Sequence, residues 1–111
     1  MDERARRIGE NEALYRSVNE KIEALSAAFG VITETMSVVC ECGNASCAEQ
    51  IEVSIPVYER IRSDPTLFII RPGHEIPDVE EVAEKHDAFH VVRKVEGDAA
   101  NLARETDPRS S

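Results

Sequence analysis

Apolar side chains recur at three- and four-residue intervals along the N-terminal part of the chain. They stand at Ile8, Tyr15, Val18, Ile22, Leu25 and Phe29. Asn11 fills the remaining slot of this heptad register, and Gly30 stands where a helix often ends. Because the other faces carry mostly charged residues, the pattern predicts a long amphipathic helix from Ile8 to Phe29.

The middle of the chain changes to short patterns that are typical of strands. β-Branched residues predict a strand near Ser37–Cys40, and the alternation along Ile51–Ile55 predicts a half-buried one. Ser54 can cap a short helix that has Pro56 in its first turn. Leu67–Ile70 is uniformly apolar and predicts a buried strand.

The last third of the chain predicts two helices around one strand. Asp78 is a candidate N-cap with Glu81 at the capping-box position. The helix that they predict would carry Val79, Val82, Ala83 and His86 on one face. Phe89–Val95 predicts a strand, Gly97 interrupts it, and Asp98–Glu105 predicts a last short helix.

Three cysteines lie close together in the pattern Cys40-x-Cys42-x₄-Cys47. An odd number of cysteines leaves one unpaired, so the group fits a disulfide framework poorly. Structural zinc sites take four ligands in a tetrahedron, and Cys₃His is a common set. The spacing therefore predicts a Zn²⁺ site with these three thiolates as ligands, although C-x-C is shorter than the usual C-x₂-C pair.

A histidine is the expected fourth ligand, and His74 is the preferred one. It lies in the predicted turn Arg71–Glu75, where the preceding Pro72-Gly73 fixes the chain direction and lets the backbone approach an ion. His86 falls on the buried face of a predicted helix and is expected to be a core residue. His90 alternates with apolar neighbours along a predicted strand and is expected to face solvent.

Other readings of the cysteine group stay open. Glu41, Glu49 or a water molecule could complete the coordination instead, and a water would leave the open position that a zinc enzyme of hydrolase type requires. Cys40 could be an unliganded core residue, because it follows Val38-Val39. Cys42 and Cys47 could also form a reversible disulfide in a thiol switch, although neighbouring carboxylates raise thiol pKa values and slow thiolate chemistry.

These elements predict an α+β fold: a small zinc-stabilised domain with a long N-terminal amphipathic helix, a small sheet and two or three short helices. We expect residues 1–30 to form the helix, 31–105 the zinc-binding domain and 106–111 a disordered tail. A chain of 111 residues that contains no Trp builds only a small core. A bound metal ion would therefore add stability that the core alone supplies only modestly.

Charge narrows the classes of partner. Asp and Glu number 22 against 13 Lys and Arg, which gives a net charge of -9 and argues against direct nucleic-acid binding. The chain contains neither an apolar run long enough to span a membrane nor a signal-like N-terminal segment, so no membrane association is expected. Together with clustered cysteines that suit a reducing compartment, this predicts a cytoplasmic protein.

Enzyme signatures are absent from the sequence. It contains no phosphate-binding P-loop, dinucleotide-binding glycine motif, H-E-x-x-H or G-x-S-x-G. The heptad stripe has two readings: it packs on the protein's own sheet, or it forms a coiled coil with a partner protein or a second copy. In the second reading, Asn11 would set the register.

Four segments resemble a group of small bacterial proteins of actinobacterial type. They are Cys40-Glu41-Cys42-Gly43-x₃-Cys47, Glu52-Val53-Ser54-x₃-Tyr58-Glu59-x-Ile61-Arg62-x₂-Pro65, Pro72-Gly73-His74-Glu75 and Thr106-Asp107-Pro108-Arg109. The resemblance covers most of the chain and implies a freestanding bacterial protein. It brings no activity, substrate or partner. On the residues themselves, we expect a zinc-stabilised, non-enzymatic regulatory or protein-interaction module, such as an accessory factor of the transcription machinery.

Overall fold

The computed structural model describes residues 2–28 and 35–109. In chain order the elements are α1 (Glu3–Ala28), β1 (Thr35–Val39), β2 (Gln50–Ser54), α2 (Ile55–Arg62), β3 (Leu67–Ile70), β4 (Glu80–Lys85), β5 (His90–Lys94) and α3 (Asp98–Glu105). The α+β class with a long N-terminal helix and short helices is confirmed. The strands form two small antiparallel sheets where the sequence predicts one.

The two sheets supply the apolar core. β1 pairs with β2 so that Val38 lies opposite Ile51, and the second sheet has the order β3-β5-β4 with Phe68 opposite Val92. α2 adds Tyr58 and Ile61, both fully buried. The core also contains Met36, Val53, Leu67, Ile69, Ile70, Phe89, Val91 and Ala103, together with Cys40 and Cys42. The cysteine segment is therefore part of the core and continues directly from β1.

Elements with strong local signals form where the sequence predicts them. The Ser54 hydroxyl accepts a hydrogen bond from the Val57 amide at 3.2 Å and caps α2, as its position before Pro56 indicates. The bounds of β3 and α3 match the prediction, and β1 and β2 lie within two residues of theirs. α1 begins earlier than predicted, while Phe29 and Gly30 lie outside the described residues.

The helix predicted after Asp78 is wrong, because Glu80–Lys85 form strand β4. β4 pairs with β5 in a hairpin, with a register shift between Val82 and Glu84. The capping-box pattern is a local signal worth only about 1 kcal/mol. A ladder of hydrogen bonds to β5 and the burial of Val79 and Glu80 outweigh it.

The buried face of α1 is polar, which the heptad pattern does not indicate. Ile8 is buried, but the fully buried side chains of this helix are Glu12, Arg16 and Asn19, each 0 % exposed. Of the predicted stripe, Tyr15 and Ile22 are half-buried, while Val18 and Leu25 are exposed, as is Leu14. The apolar register thus marks the border of the inner face rather than its centre.

The buried Glu12 and Arg16 side chains of α1 contact groups on other elements. The Lys94 ammonium contacts the Glu12 carboxyl group and donates to Glu80 Oε1 at 2.8 Å. The Arg16 guanidinium lies 4.4 Å above the Phe68 ring and donates to the Pro65 and Ala103 carbonyl groups. Burial raises the pKa of Glu12 well above its ordinary value, and the Lys94 charge only partly opposes this. Burial therefore favours the protonated form of Glu12 within the Glu12–Lys94–Glu80 cluster.

The residues that follow α3 contact α1 and α2. Asp107 forms an ion pair with the fully buried Arg62. Arg109 pairs with Glu20 on α1 and, at 2.8 Å, with Glu59 on α2. The Arg109 hydrogen bonds hold the pKa of Glu59 at about 2. Thr106, Asp107 and Arg109, in the segment expected to be a disordered tail, thus have defined partners. Residues 110 and 111 lie outside the described part.

Membrane crossing requires a long helix of high apolar content. Within residues 2–28 and 35–109 no helix combines that length with that content. α1 has the length but carries charged residues on every face.

We predict that replacing Lys94 and replacing Glu12 have very different effects on stability. Lys94→Met leaves Glu80 buried without its cation and should lower the free energy of unfolding by about 3–5 kcal/mol. Glu12→Gln keeps a neutral group in the same space and should change it by less than about 1 kcal/mol. Denaturant unfolding of both variants at one metal concentration checks this.

The pH dependence of the same variants provides the control. Because the folded pKa of Glu12 lies above its unfolded value of about 4.5, its contribution to stability is present below that pH and declines as the pH rises toward the folded pKa. Glu12→Gln should remove this decline. Equal losses of stability in Lys94→Met and Glu12→Gln would contradict the assignment of the proton.

Candidate metal centre

Residues 40–42 form an extended bridge between the two sheets. The Cys40 amide donates to the Glu49 carbonyl group at 2.8 Å, which continues the β1–β2 ladder, and the Glu41 amide donates to the Ile69 carbonyl group of β3 at 2.8 Å. Side chains alternate along an extended chain. Cys40 and Cys42 therefore share one side of the bridge, and Glu41 points to the other.

Glu41 is directed into the interior and away from the cysteine sulfurs. Its carboxylate accepts hydrogen bonds from Asn19 Nδ2 at 2.7 Å and from the Ile69 amide at 3.1 Å. Burial raises the pKa of this carboxyl group, and the two donors oppose the rise. With both oxygens engaged, Glu41 is not placed to be a metal ligand.

Cys47 returns to the other cysteines through a tight turn. The Cys47 amide donates to the Asn44 carbonyl group at 3.0 Å, and the Ser46 amide donates to Asn44 Oδ1 at 2.9 Å. An asparagine that binds the backbone two residues on is a recurrent turn-former. The turn thus begins at Asn44.

His74 is presented by a second turn, from the opposite side. Its amide donates to the Arg71 carbonyl group at 3.1 Å, with Pro72 and Gly73 in the central positions. Gly73 has φ +88°, which a type II turn requires at that position and which other residues adopt only with strain. The turn places His74 Nδ1 3.6 Å from Cys40 Sγ and 3.7 Å from Cys47 Sγ.

The structure brings together the four residues that the sequence predicts as ligands. The ligand atoms of Cys40, Cys42, Cys47 and His74 all lie within 4.8 Å of one another, and within the described part of the chain this is the one such group of His, Cys, Asp and Glu. No disulfide links the cysteines. A tetrahedral Zn²⁺ has bonds of about 2.3 Å to sulfur and 2.0–2.1 Å to nitrogen, which place a sulfur ligand and a nitrogen ligand about 3.5–3.6 Å apart. The observed distances suit such an ion.

A carboxylate orients the histidine. Glu49 Oε2 lies 2.9 Å from His74 Nε2, and Arg71 Nε lies 3.9 Å from the other oxygen of the same carboxylate. A hydrogen bond from Nε2–H to Glu49 leaves the lone pair of Nδ1 directed toward the sulfurs. Carboxylate–histidine pairs of this kind fix the tautomer and the ring orientation of histidine ligands in metal sites.

Burial disfavours the ionised form of two of the cysteines. Burial raises the pKa of Cys40 and of Cys42 above the ordinary thiol value. Backbone amides oppose the rise, and the Arg71 amide donates to Cys40 Sγ at 3.2 Å. A bound metal ion supplies the positive charge that lets buried thiols ionise, so binding would release protons.

The other two histidines lie elsewhere. His86 is exposed, stacks on Phe89 with ring centroids 4.5 Å apart and contacts Glu84, so its predicted place in a helix core is wrong. His90 is half-buried in β5. Neither belongs to the four-residue group, which leaves His74 as the histidine brought to the cysteines.

A cavity of about 260 Å³ opens beside the group. It is lined by Cys42, Asn44, Gly73, His74 and Ile76. A metal site needs a route for the ion, and this cavity provides one on the side of Gly73, where no side chain intervenes.

Sequence reasoning did not identify the role of Glu49. It considered this residue only as a replacement ligand, whereas the carboxylate binds the outer nitrogen of His74. The sequence signal for this role was the position of Glu49 shortly after the predicted ligand Cys47. The pairing itself depends on the fold, because Glu49 and His74 are brought together only when the cysteine segment meets the turn that begins at Arg71.

Comparisons of the chain with protein-family models, with curated proteins and with solved structures found no match. The resemblance to small actinobacterial-type proteins therefore stays a prediction, and any functional argument rests on the site itself.

We predict that Glu49→Gln weakens metal binding about 10- to 100-fold, because the amide accepts the Nε2–H hydrogen bond less strongly and leaves the imidazole less basic. Competition titration with a chromogenic chelator measures the affinity. Glu52→Gln is the matched control, since it removes an exposed carboxylate from β2 and should leave the affinity unchanged. Equal affinities for Glu49→Gln and Glu52→Gln would show that Glu49 does not position His74.

Proposed function

We propose that Cys40, Cys42, Cys47 and His74 bind one Zn²⁺ and that the protein is a zinc-stabilised, non-enzymatic regulatory module. The observation that supports this most directly is the convergence of three thiols and one imidazole within 4.8 Å. Thiolate and imidazole are the ligands that zinc prefers in structural sites, whereas calcium and magnesium take oxygen ligands.

The surroundings of the four ligands favour a closed site. Glu41 is bound inside the core and Glu49 holds His74, so neither carboxylate competes for the ion. Four protein ligands fill a tetrahedron and leave no position for the water that a hydrolytic zinc enzyme activates. Of the described residues that line the adjacent cavity, none is a carboxylate or a further histidine that could act as a general base.

A regulatory role is the reading that best fits the remaining surface. Leu14, Val18 and Leu25 are exposed on the outer face of α1, where they could contact a protein partner or a second copy. The net charge of -9 disfavours nucleic acid as that partner. We propose a cytoplasmic protein of bacterial type that acts within a larger assembly, of which the transcription machinery is an example.

The test is the metal content of the full chain purified without added metal. We predict one Zn²⁺ per chain, bound by three sulfurs and one nitrogen in X-ray absorption spectra. His74→Ala should lose most of the metal, while His86→Ala, which changes an exposed histidine outside the group, should keep it. At a free Zn²⁺ concentration about 1,000-fold above the dissociation constant, binding stabilises the fold by about 4 kcal/mol, so chelation should lower the melting temperature clearly.

Other outcomes would change the proposal. Absence of zinc from the wild-type protein would refute it. A bound, exchangeable water in the spectra would instead support a zinc enzyme. Release of zinc with formation of a disulfide under mild peroxide would support a thiol switch.

A further inference from the structure

Three polar side chains of α1 bind the backbone of the cysteine segment. Asn11 Nδ2 donates to the Gly43 carbonyl group at 3.0 Å, and the Tyr15 hydroxyl donates to the Ala45 carbonyl group at 2.8 Å. Asn19 makes two such bonds with Val39, donating to its carbonyl group and accepting from its amide, each at 2.8 Å.

The spacing of these residues matches the helix. Asn11, Tyr15 and Asn19 follow one another at four-residue intervals, so they stand on successive turns of one side of α1. We refer to the three as the polar ladder. Their targets all lie between positions 39 and 45, in the segment that carries the cysteines. The ladder is thus complementary to one particular conformation of that segment.

The cysteine segment also approaches α1 closely at Gly43. Gly43 has no side chain, and a Cβ at this position would lie 2.5 Å from Cγ2 of Ile8 and 3.2 Å from Cδ1 of Ile76. The absence of that atom lets α1 rest directly on the loop. Asn19 also reaches Glu41, whose neighbours on both sides are proposed ligands.

α1 contributes little to the apolar core. The buried core cluster consists of Phe89 and of residues from the strands, the cysteine segment, α2 and α3. Among the described residues α1 adds only Ile22, at the edge of the cluster. The helix is held mainly by the polar ladder, by polar contacts such as that of Glu12 with Lys94, and by Ile8. An element docked in this way can open without unfolding the sheets.

We propose that metal binding and the docking of α1 are coupled, so that the protein is a metal-responsive switch in which α1 reports occupancy of the site. This rests on the proposed zinc site. The ion fixes the conformation of the segment from Val39 to Cys47, and the polar ladder binds that conformation. Removal of the ion lets the segment rearrange, which weakens the docking of α1 while the two sheets stay folded. By thermodynamic reciprocity, undocking of α1 lowers the affinity for the ion by the same factor by which the ion strengthens the docking of α1.

Hydrogen exchange on the full chain, with and without a chelator, tests the first half of this coupling. In the zinc-free chain the α1 amides should be at least about tenfold less protected than those of β3 and α2, because α1 opens while the sheets stay folded. An unchanged α1 would overturn the proposal. Equal protection of α1, α2 and β3 in the zinc-free chain would also overturn it, because α1 would then open only when the whole fold unfolds.

Metal affinity of a ladder variant tests the second half. The double variant Asn11→Ala with Tyr15→Phe removes two hydrogen bonds of the ladder. It keeps Asn19, because that side chain also donates a hydrogen bond to Glu41. Its zinc affinity should fall about 3- to 30-fold. The matched control is Leu14→Ala with Lys21→Ala on the exposed face of α1, which should keep the wild-type affinity.

The two proposals fail in distinguishable ways. A wild-type chain that binds no zinc refutes the metal site. A wild-type chain that binds zinc, combined with a ladder variant of unchanged affinity that is folded by circular dichroism, refutes the coupling and leaves the metal site standing.

Discussion

The alternation of side chains along the extended segment Cys40–Cys42 is the constraint on which the rest of the structure depends. It sends two thiols to one side and the Glu41 carboxylate to the other, where Asn19 and the Ile69 amide bind it. In an extended C-x₂-C segment the two cysteines would point to opposite sides of the chain. The short C-x-C spacing therefore lets one stretch of backbone contribute to three parts of the structure. Its thiols belong to the metal site, and Glu41 between them binds both β3 and the long helix.

Polar contacts take the place of apolar ones where α1 meets the domain. Burying charge costs free energy unless every group finds a partner, so such an interface adds less stability than an apolar one of equal size. It is more specific, because Arg16 fits only where the Pro65 and Ala103 carbonyl groups and the Phe68 ring converge. The helix thus has one defined docked position with a modest free energy of docking, which a change of conformation in the cysteine segment can shift.

The parts of the fold that follow from local chemistry could be predicted from the sequence. The Ser54 cap, the uniformly apolar β3 and the grouping of the cysteines with a histidine in a Pro-Gly turn each depend on a few neighbouring residues. The inner face of α1 could not, because Glu12 and its neighbours resemble a solvated face until Lys94 is placed beside them. β4 was missed for a similar reason, since its charged sequence suits a helix and only pairing with β5 makes it a strand.

Metal loss need not unfold the core, and the chemistry of the buried cysteines explains why. Without a cation, burial favours the neutral thiol form of Cys40 and Cys42, because it raises the pKa of both. A neutral thiol is a small apolar group, and both residues already belong to the apolar core. The proposed rearrangement of the segment from Val39 to Cys47 therefore need not expose these two residues. Since the Tyr15 hydroxyl of α1 donates to Ala45 within this segment, a rearrangement of the segment changes the contacts of α1.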